Sequence, residues 1–218
     1  MRDLSLHLLD LAQNSITAGA SLVTIRLTLG EDRMLTMELI DNGKGMSPEM
    51  LAQVTSPFAT TRTTRKVGLG IPMMKENAEK AGGTLRLESE EGKGATLTCS
   101  MDTGNIDCLP LGDLSGTLLS LMLTNPLFPD FLFEGKSPKG EGSFDTREVR
   151  QALGSDIPFN EPSVAAWLKE ALDEEINSIL GGVLIVNLWR ICKPSARKRW
   201  KTSICGKTRT RPVWSSNR

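Results

Sequence analysis

The chain has 218 residues, 39% of them hydrophobic, with 26 Lys/Arg balanced by 26 Asp/Glu. That is enough apolar material for one domain of ordinary size plus an extension, and it excludes wholesale disorder. No run approaches the roughly 18 consecutive apolar residues of a membrane helix, and the opening stretch MRDLSLHLLDLAQN lacks the basic start and cleavage site of a signal peptide.

Four cysteines without a Cys-x-x-Cys pair and a single histidine, His7, supply neither a zinc pattern nor a disulfide framework, so a reducing cytoplasm is the expected setting. The zero net charge hides a division. Residues 1–180 hold all 26 acids and 16 of the Lys/Arg, a net of −10, whereas residues 181–218 hold ten bases, no acid and three of the four tryptophans.

Taken in chain order, LSLHLLDLAQNSI (4–16) has helical spacing, with Leu4, Leu8, Leu11 and Ser15 on one stripe and Asp3 as N-cap. The stretch TAGAS ends it at Gly19. LVTIRLTL (22–29) and MLTMELI (34–40) alternate with period two and form a hairpin. Ser47 and Pro48 open a short helix. TSPFATTRTTRKV is a polar, basic loop, and a helix follows Gly68-Leu69-Gly70 and stops at Gly82-Gly83. TLRLESE and ATLTCSM are two further strands.

Beyond Met101 come an apolar helix (PLGDLSGTLLSLMLTNP), two short strands (FLFEGKSPKGEGSFD) and helices TREVRQALG and EPSVAAWLKEALDEEINSIL. In the last, Val164, Trp167, Leu168, Ala171, Leu172, Ile176 and Ile179 repeat at three and four residues, as on a buried helix face.

Three pieces in the first half line up as chemistry. Asp10 and Asn14, four residues apart, share a helix face. Asp41 ends an apolar strand and is followed by Gly43 and Gly45. A Thr/Arg-rich loop then runs into a glycine pair at a helix N-terminus, where bare N–H groups and the helix dipole favour anions.

In this order the pieces resemble the GHKL superfamily of gyrase B, the ninety-kilodalton heat-shock chaperones, histidine kinases and MutL. LDLAQNSITAGAS is similar to the MutL helix, DNGKGM to the Asp-x-Gly-x-Gly box, SPFATTR with VGLGI and AGG to the histidine-kinase pattern, and EGKGATL to the closing strand turn; together they span about residues 3–101. The resemblance implies a Bergerat-type two-layer α/β sandwich, a mixed sheet with helices on one face, that binds ATP with Mg²⁺.

It further implies that Asp41 accepts from the adenine amino group, and that Gly43 and Gly45 let the backbone approach the purine. Asn14 would be a metal ligand, and Gly68, Leu69 and Gly70 would lie at the phosphates. Arg62, Arg65 and Lys66 would belong to a closing loop, with Thr96 near the base. Asp10 stands where gyrase and MutL carry a glutamate that activates water and where histidine kinases often carry a non-acid. It is the candidate general base.

The expected organisation is an ATP-binding domain at 1–103, an α+β extension at 104–180 and a basic tail at 181–218. The tail reads as a disordered or non-native end; were it native, its interleaved Arg/Lys and Trp would suit nucleic acid. The functional expectation is a stand-alone regulatory protein kinase, either of the serine/threonine anti-sigma type or a detached histidine-kinase catalytic domain. Its partners would be ATP and a regulatory protein or phosphoacceptor. A MutL- or gyrase-like ATPase whose nucleotide state switches homodimerisation, and a non-catalytic ATP-dependent binding module, are the alternatives.

Overall fold

The structure, a computed structural model, describes residues 2–55, 70–154 and 157–181. Arg62, Arg65, Lys66, Gly68 and Leu69, and the basic tail beyond residue 181, lie outside the described residues. All described residues belong to one compact unit, Met1–Leu184.

The chain opens with helix α1 (Leu4–Thr17). Asp3 caps it by accepting from the Leu6 N–H at 2.9 Å, and Gly19, at φ 78°, turns the chain out of it. Strands β1 (Leu22–Leu29) and β2 (Met34–Asp41) form the expected antiparallel hairpin, with Arg26 opposite Glu38 and Val23 opposite Asp41. Helices α2 (Pro48–Thr55) and α3 (Gly70–Lys80) follow, then strands β3 (Leu85–Glu90) and β4 (Gly94–Asp102). The second half adds α4 (Leu114–Thr124), β5 (Asp130–Ser137), β6 (Gly140–Asp145), α5 (Thr146–Leu153) and α6 (Pro162–Leu180).

One six-stranded mixed sheet in the order β3-β4-β2-β1-β5-β6 organises these elements. Every neighbouring pair is antiparallel except β1 and β5, which run parallel with Leu22 opposite Asp130 and Arg26 opposite Glu134. Such a parallel pair needs a long crossover. Here it contains β2–β4 and the helices α2–α4, so the sheet bridges the two halves of the chain.

The period of two sorts each strand. Val23, Ile25, Leu27, Leu35, Met37, Phe131 and Phe133 are buried beneath the helices, whereas Arg26, Glu38 and Glu134 stand on the opposite face. There Arg26 donates to Glu38 at 2.9 Å and to Glu134 at 2.8 Å. These part-exposed ion pairs contribute at most about 1 kcal/mol each. This is the two-layer α/β arrangement expected from the sequence, helices on one face.

The helical layer shares a single core in which Leu4, Leu8 and Leu11 of α1 join Leu118 and Leu121 of α4 and Leu168 and Leu172 of α6. One residue of the expected α6 stripe departs from it: Trp167 is 48% exposed, because Val164, Leu168, Leu172, Ile176 and Ile179 already fill the buried face. Burial pushes the Cys99 thiol up to about 12 and raises that of Cys108, so neither is a nucleophile at neutral pH. Among the described residues no helix is long and apolar enough to cross a membrane.

Candidate functional site

Asp41 is the last residue of β2, where the strand leaves the sheet and the chain must turn. Its carboxylate is held from two sides. Gly43 N–H donates to Oδ1 at 2.9 Å, closing an Asx turn, and the Ser15 hydroxyl of α1 donates to Oδ2 at 2.7 Å. Each carboxylate oxygen keeps a lone pair for a further donor.

The loop after Asp41 is tied to its surroundings residue by residue. Asn42 Oδ1 accepts from the Ser21 and Leu22 N–H groups at 2.8 and 2.9 Å, fixing the loop to the start of β1. Lys44 N–H donates to Ala18 O at 3.0 Å, and Gly92 N–H donates to Lys44 O at 2.8 Å. Met46 N–H donates to Ser89 Oγ, which itself donates to Gly94 O. The loop is therefore a rigid strap between α1 and the β3–β4 turn.

This strap gives the glycines a physical reason within the protein itself. A Cβ at Gly45, which sits at φ 66°, would run into the Glu90 carbonyl. A Cβ at Gly43 would stand 3.0 Å from Ala18 O. Both glycines allow protein backbone to approach protein backbone; Gly94, at φ 105°, does the same beneath the Asp41 carbonyl.

Above Asp41 lies a pocket of ≈ 250 Å³, slightly below the range of about 300–1,000 Å³ common for small-molecule sites. Leu39, Leu87, Ala95 and Leu97 of the sheet form its floor, Met50 and Val54 of α2 and Ile71 of α3 its far wall, and Asn14 and Ser15 of α1 its near wall. Its chemistry is an apolar slot with one carboxylate at its base, which fits a flat heterocycle carrying an amino donor.

Of the described candidates, Asn14, Asp41 and Gly45 line the slot, and Gly43 supports Asp41. The Asn14 side chain is exposed and makes no hydrogen bond among the described residues, so its amide oxygen is available to a hard cation. Asp10 lies one turn back on α1, half-buried and likewise without a hydrogen-bond partner among the described residues. Its carboxylate packs so closely on Gly70 that a Cβ there would collide with it.

Thr96 is a correction. The sheet's alternation turns its neighbours Ala95 and Leu97 into the pocket, and Thr96, opposite Ile40, does not line it.

Three polar residues that line the pocket, Ser15, Thr17 and Lys44, were missed from sequence. Ser15 was legible in principle: it occupies the buried stripe of α1 at 4% exposure, and a buried hydroxyl needs a partner. Lys44, exposed at the rim of the pocket, carried no such signal.

The model of the family of histidine kinase-, DNA gyrase B-, and HSP90-like ATPases matches residues 2–105. Sensor histidine kinase ZraS of Escherichia coli (strain K12) is 34% identical over 92 residues, covering 42% of this chain and 20% of the relative. Sporulation kinase D of Bacillus subtilis (strain 168) is 30% identical over 95 residues, covering 43% and 19%. The chain thus spans about a fifth of the length of these curated relatives. Among solved structures, the N-terminal domain of a DNA repair protein aligns over 85% of this chain and 59% of its own, at 15% identity and a TM-score of 0.46. The Asp41 pocket, its strap and the helix bearing Asp10 and Asn14 all fall within the matched span: residues 2–105 are a domain of the histidine kinase-, DNA gyrase B-, and HSP90-like ATPase family.

Proposed function

We propose that the pocket above Asp41 binds the adenine of ATP and that the protein is a regulatory kinase transferring phosphate to a partner protein. The observation that carries the reading is the Asp41 carboxylate, fixed by Ser15 and Gly43 at the base of an otherwise apolar slot. A charge so placed needs a donor from the ligand, and a purine amino group supplies it while the ring fills the slot. Asn14, at the pocket wall, would hold Mg²⁺ through its amide oxygen. When bound, the ion neutralises phosphate charge.

Asp10 stands one turn from Asn14, beside the first residue of α3, and is positioned to take a proton from a hydroxyl nucleophile. The kinase branch is supported by the relatives matched over this region, which are named as sensor histidine kinases and a sporulation kinase. The Asp10 carboxylate itself favours a second reading, an ATPase in which water is the acceptor.

Incubating the full chain with γ-labelled Mg-ATP, alone and with extract of the source cells, tests both. A labelled protein band supports the kinase, and free phosphate alone supports the ATPase. Absence of ATP binding in calorimetry overturns both.

A further inference from the structure

Between α1 and α3 two polar contacts are made: the Asp10 carboxylate packs on Gly70, and His7 meets Asn77. Leu4, Leu8 and Leu11 of α1 and Met74 and Ala78 of α3 are all buried in the common core. Among them His7, 0% exposed, accepts at Nε2 from the Asn77 side-chain amide at 3.0 Å. His7 Nδ1 is buried and has no hydrogen-bond partner among the described residues.

A half-satisfied, part-buried pair is a poor way to hold two helices together, since apolar side chains of similar volume do so as well or better. A polar pair differs from leucine in its selectivity. Sliding one helix along the other strands both polar groups, whereas apolar side chains tolerate several registers.

The register matters one turn further along. Asp10 follows His7 by three residues and shares its helix face. Its carboxylate packs on Gly70, the first residue of α3, whereas Asn77 lies two turns into that helix. The contacts occur in opposite order along the two helices, so the seam between them is antiparallel and its His7–Asn77 pair governs where the first turn of α3 stands relative to Asp10.

We propose that His7 and Asn77 are positioning residues whose bond sets the α1–α3 register and thereby holds Asp10 against the first turn of α3. The inference rests on the reading of Asp10 and Asn14 as parts of an ATP site, which His7 itself does not touch.

Four variants of the full chain test it: His7→Leu, Asn77→Leu, the double variant and His7→Gln. The leucine variants are expected to melt at or above the wild-type temperature while kcat falls at least about tenfold and KM stays within about threefold. The amides of Gly70, Ile71, Met73 and Met74 should exchange with solvent about tenfold faster. The double variant should be no worse than the more affected single one, because both remove one interaction. His7→Gln, whose amide can still bond Asn77, should restore kcat and slow exchange.

Wild-type kcat and exchange in folded leucine variants overturn the proposal, as does a fall in kcat that merely tracks a fall in melting temperature. If His7→Leu does not fold, Asn77→Leu, at a half-buried position, carries the test. Wild-type protein that neither binds nor hydrolyses ATP would refute the functional reading alone. The exchange of those four amides then decides the register by itself, unchanged rates overturning it.

Discussion

Asp41 and Ser15 form the smallest unit of the candidate site, a carboxylate at a strand end whose direction is set by a hydroxyl from α1. Asp41→Asn replaces one accepting oxygen with an NH₂ that cannot accept from Ser15 or from a base amino group. ATP affinity should fall roughly ten- to hundredfold, equivalent to about 1–3 kcal/mol, measurable by calorimetry. Asp10→Asn keeps size and polarity but removes the proton acceptor. Turnover should fall by about 10²–10⁴ with ATP affinity within a few fold; unchanged turnover would point to an acceptor, such as a histidine nitrogen, that needs no base.

His7 adds a pH term. Burial pushes its imidazole below the ordinary value, with the carboxylates of Asp10 and Asp3 opposing the shift. The unfolded chain therefore binds the proton first. The stability due to neutral His7 is complete above the unfolded pKa of about 6.5 and is lost as pH falls below it toward the folded value. Melting temperatures between pH 5 and 7.5 should decline more steeply in the wild type than in His7→Gln.

At the scale of elements, the strap from Asp41 to Met46 converts a strand end into a fixed platform. Gly45 is its tightest point, at φ 66° over the Glu90 carbonyl. Gly45→Ala combines backbone strain with a clash against backbone that cannot swing aside. It should cost about 2–3 kcal/mol of stability and weaken ATP binding, read by denaturant titration and calorimetry.

The elements themselves were legible, because periodicity and capping are local. Asp3 as cap, the strands at 22–29 and 34–40 and a helix stop at Gly82-Gly83 follow from residues a few positions apart; the structure ends the second strand at Asp41 and the helix at Lys80. The Ser15–Asp41 bond, between residues 26 apart in sequence, is not local and has no periodic signature.

At the scale of the whole molecule, the 2–105 family match is not the unit that the core defines. Strand β5 lies against β1, and Phe131 and Phe133 are 1% exposed in the same core as Leu8 and Ile25. A chain ended at residue 105 would expose the β1 edge and uncover the α4 side of α1. It should lose cooperative thermal unfolding or aggregate, as seen by calorimetry and light scattering. Phe133→Ala in the full chain should cost about 3–5 kcal/mol.

The amino-acid sequence alone determined which segments are helix and strand, that an acid and an amide share one face of the first helix, and that an Asp-x-Gly-x-Gly box closes the second strand. Each of these follows from spacing within a dozen residues. Only the tertiary structure decided that Ser15 orients Asp41, that the box glycines let the strap pack against neighbouring backbone, that Thr96 does not line the pocket and that β5 extends the sheet in parallel beside β1. Those outcomes depend on which distant surfaces meet, and burial and backbone hydrogen bonding select that meeting from the whole chain at once.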